Sequence, residues 1–113
     1  MNEPITVNEI TPEALKDRLD RGDDVLVVDM RTPSEYQSGH IPSAVNIFVQ
    51  EIPRRLSELP KDKDIVFQCW QGNTSLQAAA YLIDSGWSSQ RIASLVDGIA
   101  GWAQTFGKKG LVQ

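Results

Sequence analysis

Apolar residues in this chain fall into short runs, separated by segments whose apolar positions recur at helical spacing. Val25-Leu26-Val27-Val28 is continuously apolar, the pattern of a strand covered on both faces. Asp64-Ile65-Val66-Phe67-Gln68 has the same buried character. Ile92 to Val96 predicts a further strand, Ala44 to Ile47 a brief one, and Ile5-Thr6-Val7 a short one near the start. The first helix opens at Thr11-Pro12-Glu13, which reads as N-cap, proline at the first helical position and an acid in the first turn. Ala14, Leu15 and Leu19 give it one apolar face, and Arg21-Gly22-Asp23-Asp24 stops it. Thr32 to Ser38 predicts a short helix begun by Thr-Pro and ended at Gly39. Pro53 to Leu59 predicts another, with Ile52, Leu56 and Leu59 on one face and Pro60 closing it. From about Asn73 to Ser85, Leu76, Ala79, Ala80 and Ile83 repeat at helical spacing, and Ile99 to Phe106 is the last helix.

Strands alternating with helices of these lengths predict an α/β fold, a parallel sheet with helices on both faces. In such sheets ligands sit outside the carboxyl ends of the strands. Three polar turns fall there: after Val28, after Gln68 and after Val96. The only cysteine, Cys69, stands in the second.

Composition narrows the field. At 113 residues the chain is expected to form one domain, and no internal repeat or linker interrupts it. A formal charge of -4 without a basic stripe argues against a nucleic-acid partner. The start lacks the basic and apolar regions of a secretory signal, and no apolar run is long enough to span a membrane. One cysteine makes no internal disulfide, and one cysteine with one histidine builds no zinc site. The expectation is a reduced, cytoplasmic protein without metal or cofactor.

Trp70-Gln71-Gly72-Asn73-Thr74-Ser75 separates Cys69 from an apolar-periodic helix. Gly72 permits a positive φ, and Asn, Thr and Ser suit turns and helix starts. Such a loop can aim several backbone N–H groups inward at the positive end of the next helix, a setting that stabilises an anion. A thiolate is such an anion, and helix N-termini bring cysteine from about 8.5 down to roughly 3.5–7.5. Cys69 is therefore a candidate nucleophile. The competing reading is a buried, inert core residue, the usual state of a lone cysteine.

The loop Cys69 to Ser75 resembles the active-site loop of rhodanese domains, which are sulfurtransferases. Three further blocks resemble the family in order and spacing. They are Asp29-Met30-Arg31 with Glu35-Tyr36, then Gly39-His40-Ile41-Pro42-Ser43-Ala44, and Leu95-Val96-Asp97-Gly98 running on to Trp102. The resemblance implies a rhodanese-like three-layer α/β/α fold with a central, mostly parallel five-stranded sheet. It implies that Cys69 takes a sulfane sulfur from a donor such as thiosulfate, carries it as a persulfide and passes it to cyanide, a thiol or an acceptor protein. Trp70, Gln71, Gly72, Asn73 and Thr74 would form the cradle, and Ser75 would open the helix. Two departures stand out: Asp97 takes the place of the first glycine of a Gly-Gly pair, and the loop carries no cation. An uncharged loop is expected to hold dianionic thiosulfate less well.

Asp29 and Arg31 are expected to form a structural ion pair beside the site, Arg31 being the best candidate for a positive charge near Cys69. His40 reads as structural, Trp102 as a core anchor, and Trp70 as lining the pocket mouth or meeting a partner. Lys108 and Lys109 read as a solvated tail. Two other functions compete. A Cys-dependent phosphatase or arsenate reductase would need an arginine where Ser75 stands. A non-catalytic rhodanese-like binding module would usually have lost the cysteine or glycine that this chain keeps.

Overall fold

The computed structural model describes residues 5–113. Five strands form one parallel sheet: β1 (Asn8–Ile10), β2 (Val25–Asp29), β3 (Val45–Asn46), β4 (Asp64–Gln68) and β5 (Ile92–Leu95), in the order β1-β5-β4-β2-β3. Helices α1 (Pro12–Asp20), α2 (Pro33–Gln37) and α3 (Asn73–Asp84) lie between them and α4 (Gly98–Phe106) follows β5, with 3-10 turns at Val49–Glu51, Pro53–Glu58 and Lys108–Gly110.

The apolar runs explain the layers. Successive strand residues point to opposite faces, so Ile65 and Phe67 enter one core with Val28 and the α3 residues Ala78, Ala79 and Leu82. Val66 enters the other with Val27, Leu15 of α1, and Ile99 and Trp102 of α4. Burial on both faces is what a central parallel strand requires, and β4 and β2 pair at the centre. Trp102 anchors the second core, its indole N–H donating to the Gly110 carbonyl at 2.8 Å.

The helix starts are those expected. The Thr11 hydroxyl accepts from the Ala14 N–H at 3.1 Å. Thr32 and Glu35 form a reciprocal capping box at the start of α2. Two expectations are corrected. The first strand is Asn8–Ile10 rather than Ile5–Val7, because pairing with β5 decides it: Ile10 lies opposite Leu95, while Ile5 remains exposed. The helix expected over Pro53 to Leu59 is a 3-10 segment, Pro53–Glu58, interrupted at Arg55 (φ -114°). Ile52 and Leu59 still reach the core.

Chain direction positions the site. From the adjacent strands β2 and β4 the chain leads outward in opposite directions, to β3 and to β5, so a crevice opens at their carboxyl ends. Cys69 follows β4 there, beside Met30 and Arg31, which follow β2.

Candidate active site

Gly72, with φ +96°, turns the chain from β4 into α3. The loop rests on the start of α4. The Ile99 N–H donates to the Cys69 carbonyl at 2.8 Å, and the Ala100 N–H to the Trp70 carbonyl at 3.0 Å. These are N–H groups of a first helical turn, which have no partner inside their helix. The approach requires Gly98 (φ +57°), because a Cβ there would lie 2.3 Å from the Cys69 carbonyl oxygen. Asp97 beside it also has a positive φ of 58°. Aspartate is among the non-glycine side chains that tolerate this conformation. Since N–H and C=O oppose each other across a trans peptide, anchoring the Trp70 carbonyl on α4 turns the Gln71 N–H the other way, towards the cysteine sulfur.

Cys69 is buried, and its Sγ accepts from the Gly72 N–H at 3.2 Å. The Ser75 hydroxyl lies 3.5 Å from Sγ and 2.7 Å from the hydroxyl of Ser94, on β5. Burial pushes the thiol up and is the largest single influence. The Ser75 hydroxyl and the backbone N–H groups of Ser75, Gly72 and Gln71 together outweigh it, so the net shift is downward. Cys69 is thus biased towards thiolate by hydrogen bonds to the charged form, with no histidine in contact.

A cavity of about 250 Å³ opens in front of the sulfur. Cys69, Trp70, Gln71, Asn73 and Thr74 line it on one side, Met30, Arg31, Phe48 and Val49 on the other. Gly72 and Ser75 support the loop from within. Arg31 is buried and forks onto Asp29, with contacts of 2.7–3.2 Å, and also donates to the Gly39 carbonyl. Its guanidinium carbon lies 5.1 Å from the centre of the Trp70 ring. Trp70 is half exposed, and its indole N–H donates to Glu35. The Thr32 N–H, the Trp70 indole and the Thr32 hydroxyl hold the Glu35 carboxyl below the usual range.

The structure places Arg31 beside the Cys69 loop, with Asp29 behind it as its counter-ion. His40 lies elsewhere, its ring stacked on Tyr36 and its Nδ1 bonded to the Tyr36 carbonyl. Lys108 and Lys109 are exposed and do not line the cavity. Sequence reasoning missed Ser94, although a polar residue inside the buried run Ile92–Leu95 was a signal. It also missed the contact of Gly98 with the loop, and the tie between Glu35 and Trp70, residues 35 positions apart. Among the described residues, no group of three or more His, Cys, Asp or Glu side chains could hold a metal ion.

Compared with known proteins, residues 11–105 match the Rhodanese-like domain. The chain belongs to the rhodanese-like family. A sulfurtransferase of Allochromatium vinosum is 47% identical over 98 residues, which cover 87% of this chain and 90% of that protein. The thiosulfate sulfurtransferase GlpE of Pseudomonas syringae pv. syringae is 34% identical over 97 residues, 86% of this chain and 88% of that one. The crystal structure of a rhodanese-related protein from Thermoplasma volcanium superposes with a TM-score of 0.81 at 26% identity, covering 93% of this chain and 97% of the other. The rhodanese-like fold is therefore established for this chain, and its sulfurtransferase relatives match over most of their own length. Among the described residues, no helix is long and apolar enough to cross a membrane.

Proposed function

We propose that this protein is a sulfurtransferase that carries a sulfane sulfur on Cys69, with residues 1–113 forming one rhodanese domain. The observation that carries the reading is the setting of the sulfur. Cys69 Sγ sits at a strand end, under an open cavity, within hydrogen-bond reach of the Gly72 N–H and the Ser75 hydroxyl.

The cycle has two displacements. The Cys69 thiolate attacks the outer sulfur of a donor, and a new S–S bond forms while the donor's own bond to that sulfur breaks. With thiosulfate, sulfite leaves with the bonding electron pair; with an organic persulfide, a thiolate does. Cys69 then holds a persulfide whose charge lies among the loop N–H groups, which act as donors aimed in advance at developing charge. A thiophilic acceptor, either cyanide, a thiol or an acceptor protein, attacks the outer sulfur, and the Cys69 thiolate is restored. No redox partner is needed, and the covalent intermediate predicts ping-pong kinetics. Gln71, Gly72 and Ser75 hold the charge, while Trp70, Asn73 and Thr74 shape the entrance. Asp29 and Arg31 support the turn behind it.

The reading also fits what the site lacks. Arg31 is committed to Asp29 and Gly39, so it is not free to clamp a transferring phosphate as a phosphatase arginine would. Thiocyanate formation from thiosulfate and cyanide, abolished by Cys69→Ser, tests the assignment. Activity surviving in that variant would remove Cys69 from the chemistry.

A further inference from the structure

The charged residues lining the cavity in front of Cys69 are Arg31 and Glu35. Arg31 carries one positive charge, but the buried Asp29 carboxylate takes it up in a two-pronged ion pair. Glu35 is left over. Its carboxylate is fixed at the mouth by three donors, the Thr32 N–H and hydroxyl and the Trp70 indole. One guanidinium thus stands against two carboxylates, so these three side chains leave the Glu35 charge uncompensated at the mouth. Of the uncharged lining, Met30, Phe48, Val49 and the Trp70 ring make an apolar wall, and Thr32, Gln71, Asn73 and Thr74 are polar.

We propose that Glu35, clamped by Trp70, is a specificity-determining residue. It selects sulfur donors whose outer part is uncharged, the persulfides of organic thiols, over dianionic thiosulfate. This rests on the sulfurtransferase function proposed above. The reacting sulfur of either donor meets the same N–H cradle, so that end does not discriminate. The far end does. Thiosulfate must place its sulfonate against the Glu35 side of the cavity, whereas an organic persulfide places carbon against an apolar wall. The favoured step is balanced: the Cys69 thiolate attacks the terminal sulfur of R–S–SH, giving Cys69–S–SH and R–S⁻, which leaves with the electron pair. Across a cavity this size, charges stand on the order of 8 Å apart, and each unit of like charge slows encounter by roughly two- to fivefold.

The charge and the chemistry are tested separately. Cys69 is alkylated with neutral iodoacetamide and anionic iodoacetate in the wild type, Glu35→Gln and Trp70→Phe. Taking the ratio of the two rates cancels any change in thiol reactivity. The iodoacetamide preference is expected to fall roughly two- to fivefold in Glu35→Gln. It is expected to persist in Trp70→Phe, which keeps the carboxylate but breaks the tie. Sulfur loading of Cys69 from the persulfide of 2-mercaptoethanol and from thiosulfate is then followed by mass spectrometry. The preference for the persulfide is expected to fall by about fivefold or more in Glu35→Gln. Unchanged ratios in Glu35→Gln overturn the proposal. Failure of both donors to load Cys69, with the alkylation ratio still shifting, overturns the donor preference through the sulfurtransferase reading while leaving the charge at the mouth established.

Discussion

The hydroxyl oxygens of Ser75 and Ser94 lie 2.7 Å apart, both fully buried, and Ser75 is also the hydroxyl nearest the Cys69 sulfur. Their order matters. A thiolate can only accept, so the Ser75 O–H must point at sulfur, and Ser94 then has to donate to Ser75. The three atoms form a directed chain from β5 to the reactive sulfur.

Replacing Ser94 with alanine is therefore expected to loosen the Ser75 hydroxyl without touching Cys69. The pH midpoint of Cys69 alkylation should move upward, and stability should fall by about 1 kcal/mol for a lost buried hydrogen bond. Ser75→Ala, which removes the direct contact, should move the midpoint further. An unchanged midpoint in Ser94→Ala would remove Ser94 from the chain.

Gly98 is expected to be far less tolerant than its distance in sequence from Cys69 suggests. Alanine there combines a positive φ with a Cβ 2.3 Å from the Cys69 carbonyl oxygen. The expected loss is about 2–4 kcal/mol, with backbone strain and overpacking both contributing. Urea unfolding measures it. A loss within about 0.5 kcal/mol would mean that α4 does not hold the loop as described.

The depressed Cys69 thiol has a consequence for stability. A group whose folded pKa lies below its unfolded value contributes stability that is present above the unfolded value and lost as pH falls through the folded one. The unfolded value for cysteine is about 8.5. The gap in unfolding free energy between wild type and Cys69→Ala should therefore widen in favour of wild type from about pH 6 to about pH 9. A gap that narrows over that range would mean that burial outweighs the loop donors.

Glu35 offers a separate, acid-side reading. Its carboxyl is held low first by the Thr32 N–H, then by the Trp70 indole and the Thr32 hydroxyl. Its stabilising contribution is present above the ordinary value for glutamate, about 4.3, and lost as pH falls through the folded value. Protonation there should release the Trp70 indole. A tryptophan fluorescence change with its midpoint below about 4.3 is expected in the wild type and not in Trp70→Phe. The same change in both would place its origin at Trp87 or Trp102.

Much of this was legible in the chain itself. Val27 and Val28 announced a strand buried on both faces because two-sided burial leaves no polar alternation. Thr11-Pro12 and Thr32-Pro33 announced helix starts because capping is local chemistry. Cys69, the Gly72 turn and the helix after them could be ordered for the same reason. What escaped depends on tertiary geometry. β1 was misplaced because pairing with β5, rather than the β-propensity of Ile5-Thr6-Val7, sets an edge strand. Ser94 and Gly98 act on Cys69 across strands and layers, and Glu35 meets Trp70 only because β2 and β4 are neighbours.

On the reading proposed here, Cys69 becomes a sulfur carrier. The most direct test is intact-protein and peptide mass spectrometry after brief exposure to thiosulfate and to an organic persulfide. The expected result is one added sulfur atom on the Cys69 peptide, discharged by cyanide as thiocyanate. A Cys69 that stays unmodified with every donor, while still reacting with iodoacetamide, would rule out sulfur carriage at this residue.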